Sequence, residues 1–184
     1  TLEADMAGDF LFDPPADKTD KTDAFAQVGI YFHLTRMRDY FTKTHALDMS
    51  ANKWKLLAVA NMQEGGNPVD NAFFSQLGAG APWSTPNLIA IGQGKSFDFA
   101  QDSDVFLHEF THYVTHNAVN FNGGSFHLTD YGRSPFSAAI DEGLSDYFAC
   151  TVNGDPTLGE ASLAQLGVAR DLTDTGKVCP AQMT

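Results

Sequence analysis

The chain has few basic residues, few cysteines and no long apolar segment. Eleven Lys and Arg stand against 23 Asp and Glu among 184 residues, which gives a formal net charge of −12. A surface of this sign repels nucleic acids and anionic membranes, so we expect neither as a partner. The longest apolar stretches, such as residues 88–91, are far shorter than the roughly 20 residues that a transmembrane helix needs, so no membrane-spanning segment is expected.

The two cysteines, Cys150 and Cys179, do not show by spacing alone whether they form a disulfide. The chain begins at Thr1 without the features of a targeting segment, and we expect any such segment to have been removed or to lie outside the given sequence. An acidic, lysine-poor chain with one available cysteine pair favours a secreted or otherwise extracytoplasmic location. The oligomeric state is left open.

The apolar content suffices for one hydrophobic core, because 43% of the residues are apolar and 12% are aromatic. Residues 1–22 are rich in Asp and contain Pro14 and Pro15, which predicts an irregular acidic arm. Residues 23–184 are predicted to form a single domain.

Hydrophobic periodicity predicts an α+β arrangement. A long amphipathic helix is predicted from Thr22 or Asp23 to about Thr44. Strands are predicted at residues 54–62, 71–76 and 87–91, the first of which a short helix could replace. Two further helices are predicted, from Asp102 or Ser103 towards residue 120 and over residues 137–149, followed by a turn-rich segment from residue 152.

The second predicted helix contains the sequence H-E-x-x-H, from His108 to His112. Residues four apart share one helical face, so both imidazoles can bind a single zinc ion. Glu109 is rotated by about 100° from His108 and flanks the metal, where it can deprotonate a metal-bound water. The alternative is a helix with ordinary surface histidines.

The third predicted helix adds carboxylates at the spacing that a zinc site requires. Glu142 and Asp146 are four residues apart, as a third ligand and a carboxylate partner for a ligating histidine would be. With His108 and His112, Glu142 completes three protein ligands and leaves a fourth position for water, as in catalytic zinc sites. For Asp146 the alternative is a solvated carboxylate.

These residues resemble the gluzincin metallopeptidases, in particular the thermolysin-like and fungalysin-like families. The segment from Asp104 to Thr115 is similar to the family string D-V-x-x-H-E-x-T-H-x-V-T, and the segment from Glu142 to Asp146 is similar to its E-x-x-x-D element. The resemblance covers roughly residues 23–155. It implies an α+β zincin fold with a mixed sheet, an active-site helix and the start of a helical lobe.

The resemblance also implies substrate-binding positions. The sequence from Asn71 to Phe74 is similar to the family's N-A-[FY]-[WF] edge strand, which pairs with an extended peptide. Asn71 and Ala72 are therefore candidate substrate-binding residues. Main-chain hydrogen bonds from this strand would hold the peptide. An ordinary edge strand is the alternative.

By the same resemblance the function is that of a zinc endopeptidase, with Glu109 as the base. Tyr131 is the candidate for the family's oxyanion-binding tyrosine, although a packed tyrosine is the alternative. The family's downstream histidine has no counterpart, because His127 is the last histidine. We therefore expect the chain to be a fragment, truncated in its helical lobe; the alternative is a shortened variant with altered catalysis.

Calcium is a secondary expectation. The counterpart of Asp104 in thermolysin-like enzymes helps bind it, and further candidate ligands are Asp98, Asp102, Asp155 and Glu160. No spaced calcium-binding loop is visible. His116 continues the stripe of His108 and His112, but lies about 6 Å beyond His112, too far to bind the same ion, so a core or capping role is expected.

Two rival functions remain open. One is a non-catalytic zinc-binding module, a degenerate peptidase used for partner binding, and the other is a hydrolase of other amides. The substrate expected from the main hypothesis is a peptide or protein of unspecified sequence.

Overall fold

The structure is a computed structural model that describes residues 2–17, 20, 22–77, 85–119, 127–129, 132–134 and 136–174. The α-helices within these ranges are α1 (Ala24–Thr44), α2 (Ser103–Ala118) and α3 (Phe136–Asn153). The strands within them are β1 (Leu56–Glu64), β2 (Asn67–Pro68), β3 (Ala72–Gln76), β4 (Asn87–Gly92), β5 (His127–Thr129), β6 (Gly132–Ser134), β7 (Thr157–Leu158) and β8 (Arg170–Asp171). The predicted α+β class is confirmed.

Helix α1 follows the predicted amphipathic pattern. The Asp23 carboxylate accepts a hydrogen bond from the backbone N–H of Phe25 at 2.7 Å and so caps the first turn. The buried positions recur every three or four residues, at Ala26, Ile30, Leu34, Met37 and Phe41. No helix or strand precedes α1 in the described part of the predicted arm.

Four strands form a mixed sheet in the order β2-β1-β4-β3. Strand β1 pairs with β4 in parallel, with Leu56 opposite Asn87, and β3 pairs with β4 in antiparallel fashion, with Ala72 opposite Ile91. Strand β4 is central, and its Ile89 and Ile91 are fully buried. Among the described strands β3 has one neighbour, β4, so it is an edge strand of this sheet, as β2 is at the other side.

Helix α2 packs against strands β3 and β4 and against both other helices. Phe106, Leu107, Phe110 and Tyr113 are almost completely buried there. The Tyr113 hydroxyl donates a hydrogen bond to the backbone carbonyl of Trp54 at 2.6 Å, which ties the helix to the segment before β1. The helix is therefore anchored in the core on one face, while another face lines the cleft described below.

Helix α3 is longer than predicted, because it continues to Asn153 rather than stopping at Ala149. It ends before Gly154, whose φ of 75° is a left-handed conformation that favours glycine. Arg36 of α1 donates hydrogen bonds to the Asn153 side chain and to the Val152 carbonyl, which fixes the end of the helix. From the end of α3 to residue 174, the last described residue, the segment is turn-rich, as predicted, and its regular elements are the short strands β7 and β8 and a 3₁₀ helix at Leu163–Leu166.

No helix in the described ranges is both long and apolar enough to cross a membrane. Cys150 lies buried in α3. Cys179 lies outside the described residues, so the question of their disulfide stays open.

Candidate metal centre and cleft

Helix α2 brings its two motif histidines together. Asp102 caps the helix by accepting a hydrogen bond from the Asp104 backbone N–H at 3.1 Å. Four residues apart on one face, His108 and His112 place their Nε2 atoms 2.9 Å from each other. Both side chains are largely buried, with 9% and 13% of their surface exposed.

Glu142 approaches the same point from α3. Its Oε2 lies 3.2 Å from His108 Nε2, and its Oε1 lies 3.6 Å from His112 Nε2. In a tetrahedral zinc site with ligands at about 2.05 Å, neighbouring donor atoms are separated by about 3.3 Å. The three observed separations bracket that value, so these residues form a group that could hold a metal ion.

The outer nitrogens of both imidazoles face carboxylates. His108 Nδ1 lies 2.9 Å from Asp146 Oδ1, and His112 Nδ1 lies 2.8 Å from Asp141 Oδ2. A proton on each Nδ1, facing its carboxylate, leaves a lone pair on each Nε2. Two lone pairs and the carboxylate of Glu142 then converge, which is unfavourable unless a cation lies between them.

The same convergence changes the protonation of His108. Burial alone would lower the pKa of this imidazole, but Asp146 and Glu142 outweigh burial and raise it to about 9. The pocket therefore attracts positive charge, either as an extra proton or as a metal ion. Two imidazoles and a carboxylate match the donor set of known metal sites.

Asp146 lies where the sequence predicted, beside a histidine of the motif. Its Oδ1 also lies 2.9 Å from an Nη atom of Arg170, a residue of β8. Neither contact has the alignment of a regular hydrogen bond, so both are best described as ion pairs. Arg170 thus neutralises part of the negative charge next to His108.

Sequence reasoning missed Asp141, which supports His112 in the way that Asp146 supports His108. Its Oδ1 accepts a hydrogen bond from the Thr115 hydroxyl, and its Oδ2 faces His112. Ser145 Oγ lies 3.2 Å from the same His112 Nδ1. The signal in the sequence was the consecutive Asp141 and Glu142, of which only the second fitted the expected spacing.

Glu109 lies on the next face of α2 and lines the cleft beside the histidines. Only 7% of the residue is exposed. Burial raises the pKa of its carboxyl, while His108, His112 and the backbone amide of Phe74 partly oppose the rise. A buried, more basic carboxylate thus adjoins the candidate metal group.

A cleft of about 800 Å³ contains all of these groups. One wall is the edge strand β3 with the preceding Asn71, so Asn71 and Ala72 face the same space as Glu109. The apolar part of the lining consists mainly of Phe99, Val105, Leu158, Leu163 and Val168. The arrangement combines a metal-binding group, a carboxylate base and an extended backbone edge.

His116 differs from its prediction, because it belongs neither to the core nor to a helix cap. It is half-buried and lines the cleft one turn beyond His112. As expected from its distance, it is not part of the metal-binding group.

Tyr131 lies outside the described residues, so its predicted role is untested. Two of the candidate calcium ligands, Asp102 and Asp104, accept hydrogen bonds from protein donors. Asp104 accepts hydrogen bonds from the Gly159 N–H and the Asn153 amide, and Asp102 accepts two from Ser162. Within the described ranges, His108, His112 and Glu142 form the one group of three or more His, Cys, Asp or Glu that could hold a metal. Calcium binding stays an untested prediction.

Neither a comparison with protein-family models nor a comparison with curated proteins finds a match for this chain.

Proposed function

We propose that the protein is a zinc-dependent endopeptidase with a gluzincin-type active site. The observation that carries the proposal is the convergence of His108, His112 and Glu142 beside a buried Glu109, in a cleft bordered by an edge strand. Two imidazoles and one carboxylate are the ligand set of catalytic zinc sites, so His108, His112 and Glu142 would hold a zinc ion and leave one position for water. A zinc ion held there supplies Lewis-acid polarisation and a lowered pKa for water in the open position.

Glu109 is assigned the proton transfers. Its carboxylate accepts a proton from the attacking water and then delivers that proton to the nitrogen of the leaving amine. The raised pKa supports the first step, since it makes this carboxylate a stronger base than an exposed Glu. The flanking carboxylates of Asp141 and Asp146 keep both imidazoles oriented with Nε2 towards the ion.

The substrate in this proposal is an extended peptide. The main chain of Ala72, at the start of the edge strand, hydrogen-bonds to the peptide backbone whatever its side chains. Asn71 lines the cleft beside it, but its main-chain carbonyl already accepts a hydrogen bond from the Gly92 N–H at 2.8 Å. The apolar lining around Val105 and Leu158 favours apolar side chains near the cut bond. An extracytoplasmic location is part of the proposal and is supported by the acidic, lysine-poor composition.

The test compares the zinc-loaded wild type with Glu109→Gln on casein and on a fluorogenic peptide. Both proteins should bind one zinc ion, and the variant should cleave at least about 100-fold more slowly, because general acid–base catalysis contributes about 10²–10⁴. Equal cleavage by both would contradict the proposal. Zinc binding without cleavage by either protein would indicate the non-catalytic zinc-binding module instead, and cleavage of small amides alone would indicate the other hydrolase class.

A further inference from the structure

His116 extends the histidine stripe of α2 into the cleft beyond the metal-binding group. It lies about 6 Å along the helix from His112, given a rise of 1.5 Å per residue. Its ring packs against the ring of Phe74 in the edge strand, with the centroids 5.5 Å apart. This contact holds the imidazole at the junction between α2 and β3, where a bound peptide would pass.

The His116 imidazole has hydrogen-bonding capacity that the described residues do not use. None of them forms a hydrogen bond with its ring nitrogens, and the nearby carboxylate of Asp141 already serves His112 and Thr115. Burial lowers the pKa of His116, and Asp141 only partly opposes this effect. The ring is therefore neutral at pH 7, with one N–H donor and one acceptor nitrogen.

The dimensions of the cleft indicate which part of a bound peptide His116 would contact. Val105 and His116 both line it, and they are separated by about 16 Å along the helix axis. An extended peptide rises about 3.3 Å per residue, so about five residues fit alongside this part of α2. The 6 Å step from His112 to His116 corresponds to about two peptide residues.

The two ends of the cleft differ in chemistry. Near Val105 the lining is apolar, with Leu158 and Leu163, and Arg170 lies beside Asp146 on the His108 side of the metal-binding group. The opposite end offers His116 as an uncommitted hydrogen-bonding group. A peptide main chain carries a carbonyl at every residue, which is the group a neutral imidazole N–H can bind at this end.

We propose that His116 is a substrate-binding residue whose ring N–H donates a hydrogen bond to a main-chain carbonyl of the peptide. The bonded carbonyl belongs to a residue about two positions from the scissile bond, on the side of the cleft away from Arg170. This inference rests on the proposed peptidase function, but the contact itself requires only that a peptide binds in the cleft.

The test measures peptide binding without hydrolysis, in the zinc-loaded Glu109→Gln protein. The probe is an acetylated and amidated octapeptide with a central Phe–Leu bond, and its dissociation constant is measured by calorimetry. Adding His116→Phe should weaken binding roughly two- to tenfold, the usual effect of losing one hydrogen bond, whereas His116→Gln, which keeps a donor, should restore most of it. His45→Phe is the matched control, because His45 is an exposed histidine at the end of α1 that does not line the cleft.

Two shortened peptides distinguish a direct contact from a structural effect. One lacks the outer residues before the Phe–Leu bond, and the other lacks those after it. The effect of His116→Phe should vanish with one shortened peptide and persist with the other. An equal effect on all three peptides, or no effect on the octapeptide, would overturn the assignment.

The outcomes also separate this inference from the proposed function. If the octapeptide binds with the expected dependence on His116 while the wild type cleaves no peptide, the substrate contact stands and the endopeptidase proposal fails. If the wild type cleaves peptides and His116→Phe leaves both binding and KM unchanged, only the His116 assignment fails. If the octapeptide does not bind at all, the assignment is overturned.

Discussion

Asp141 holds His112 from outside the metal-binding group, and replacing it with Asn tests whether that contact tunes metal affinity. The carboxylate lies 2.8 Å from His112 Nδ1 and also accepts a hydrogen bond from the Thr115 hydroxyl. Asn has the same shape and can keep the bond to Thr115, but it carries no charge. The substitution therefore removes the charge-assisted part of the contact and leaves the packing intact.

The expected loss of zinc affinity follows from the position of Asp141 next to His112, a candidate metal ligand. Loss of a carboxylate that orients a metal-bound histidine costs about 10- to 100-fold in metal affinity, or about 1.4–2.7 kcal/mol. The ionised carboxylate favours the tautomer with Nδ1 protonated and Nε2 free, and a neutral amide does so less strongly. We expect the zinc affinity of Asp141→Asn to be lower than that of the wild type by an amount within this range. The circular dichroism spectrum of the variant should stay unchanged.

The assay is a zinc competition titration against a chromophoric chelator at pH 7. Asp39→Asn is the control, because Asp39 pairs with Lys43 at 2.9 Å on the surface of α1, away from the cleft. The reasoning would be refuted by a zinc affinity of Asp141→Asn equal to that of the wild type. An equal loss in Asp39→Asn would show that the effect reflects overall charge rather than the contact with His112.

Three further predictions concern stability. Burial, with a smaller contribution from Asp23, raises the pKa of Asp98 from 3.8 to about 6. The fold therefore penalises ionisation of Asp98 by at most about 3 kcal/mol. This penalty is absent below about pH 4, grows as the pH rises from about 4 to about 6 and is constant at higher pH, so urea titrations should show Asp98→Asn more stable than wild type at pH 7.5 but not at pH 4. Tyr113→Phe removes the buried 2.6 Å bond to the Trp54 carbonyl and should cost about 1–3 kcal/mol in urea unfolding; an unchanged midpoint would show that the carbonyl finds another donor. Chelating the metal should lower the Tm and added zinc should restore it, because an ion bound only by the folded state stabilises that state; a Tm independent of zinc would argue against binding to the fold.

The sequence predicted those features of the site that depend on spacing along one helix. His108 and His112 had to share a face once α2 formed, and the approach of Glu142 followed from its place in the next helix. Asp141 could not be predicted in the same way, because it is rotated by about 100° from Glu142 on α3. Only the crossing of α3 over α2 brings both consecutive side chains to the same pair of imidazoles.

In the fold, too, some features could be predicted from local spacing and others depend on contacts between residues distant in sequence. The limits of α1 could be predicted from its apolar spacing and its cap at Asp23. The parallel pairing of β1 with β4, and the resulting edge position of β3, depend on contacts between residues about 30 apart in sequence. The placement of His116 in the cleft depends on the same sheet, since its neighbour Phe74 belongs to the edge strand.

The most direct test of the central claim is the zinc content of the purified, zinc-loaded protein and of two single-histidine variants. The account predicts one zinc ion per chain in the wild type, none retained in His112→Ala, and one in His116→Ala, whose imidazole lies one turn further along the same helix. Full zinc retention by His112→Ala, or loss of zinc from His116→Ala alone, would contradict a metal centre built from His108, His112 and Glu142.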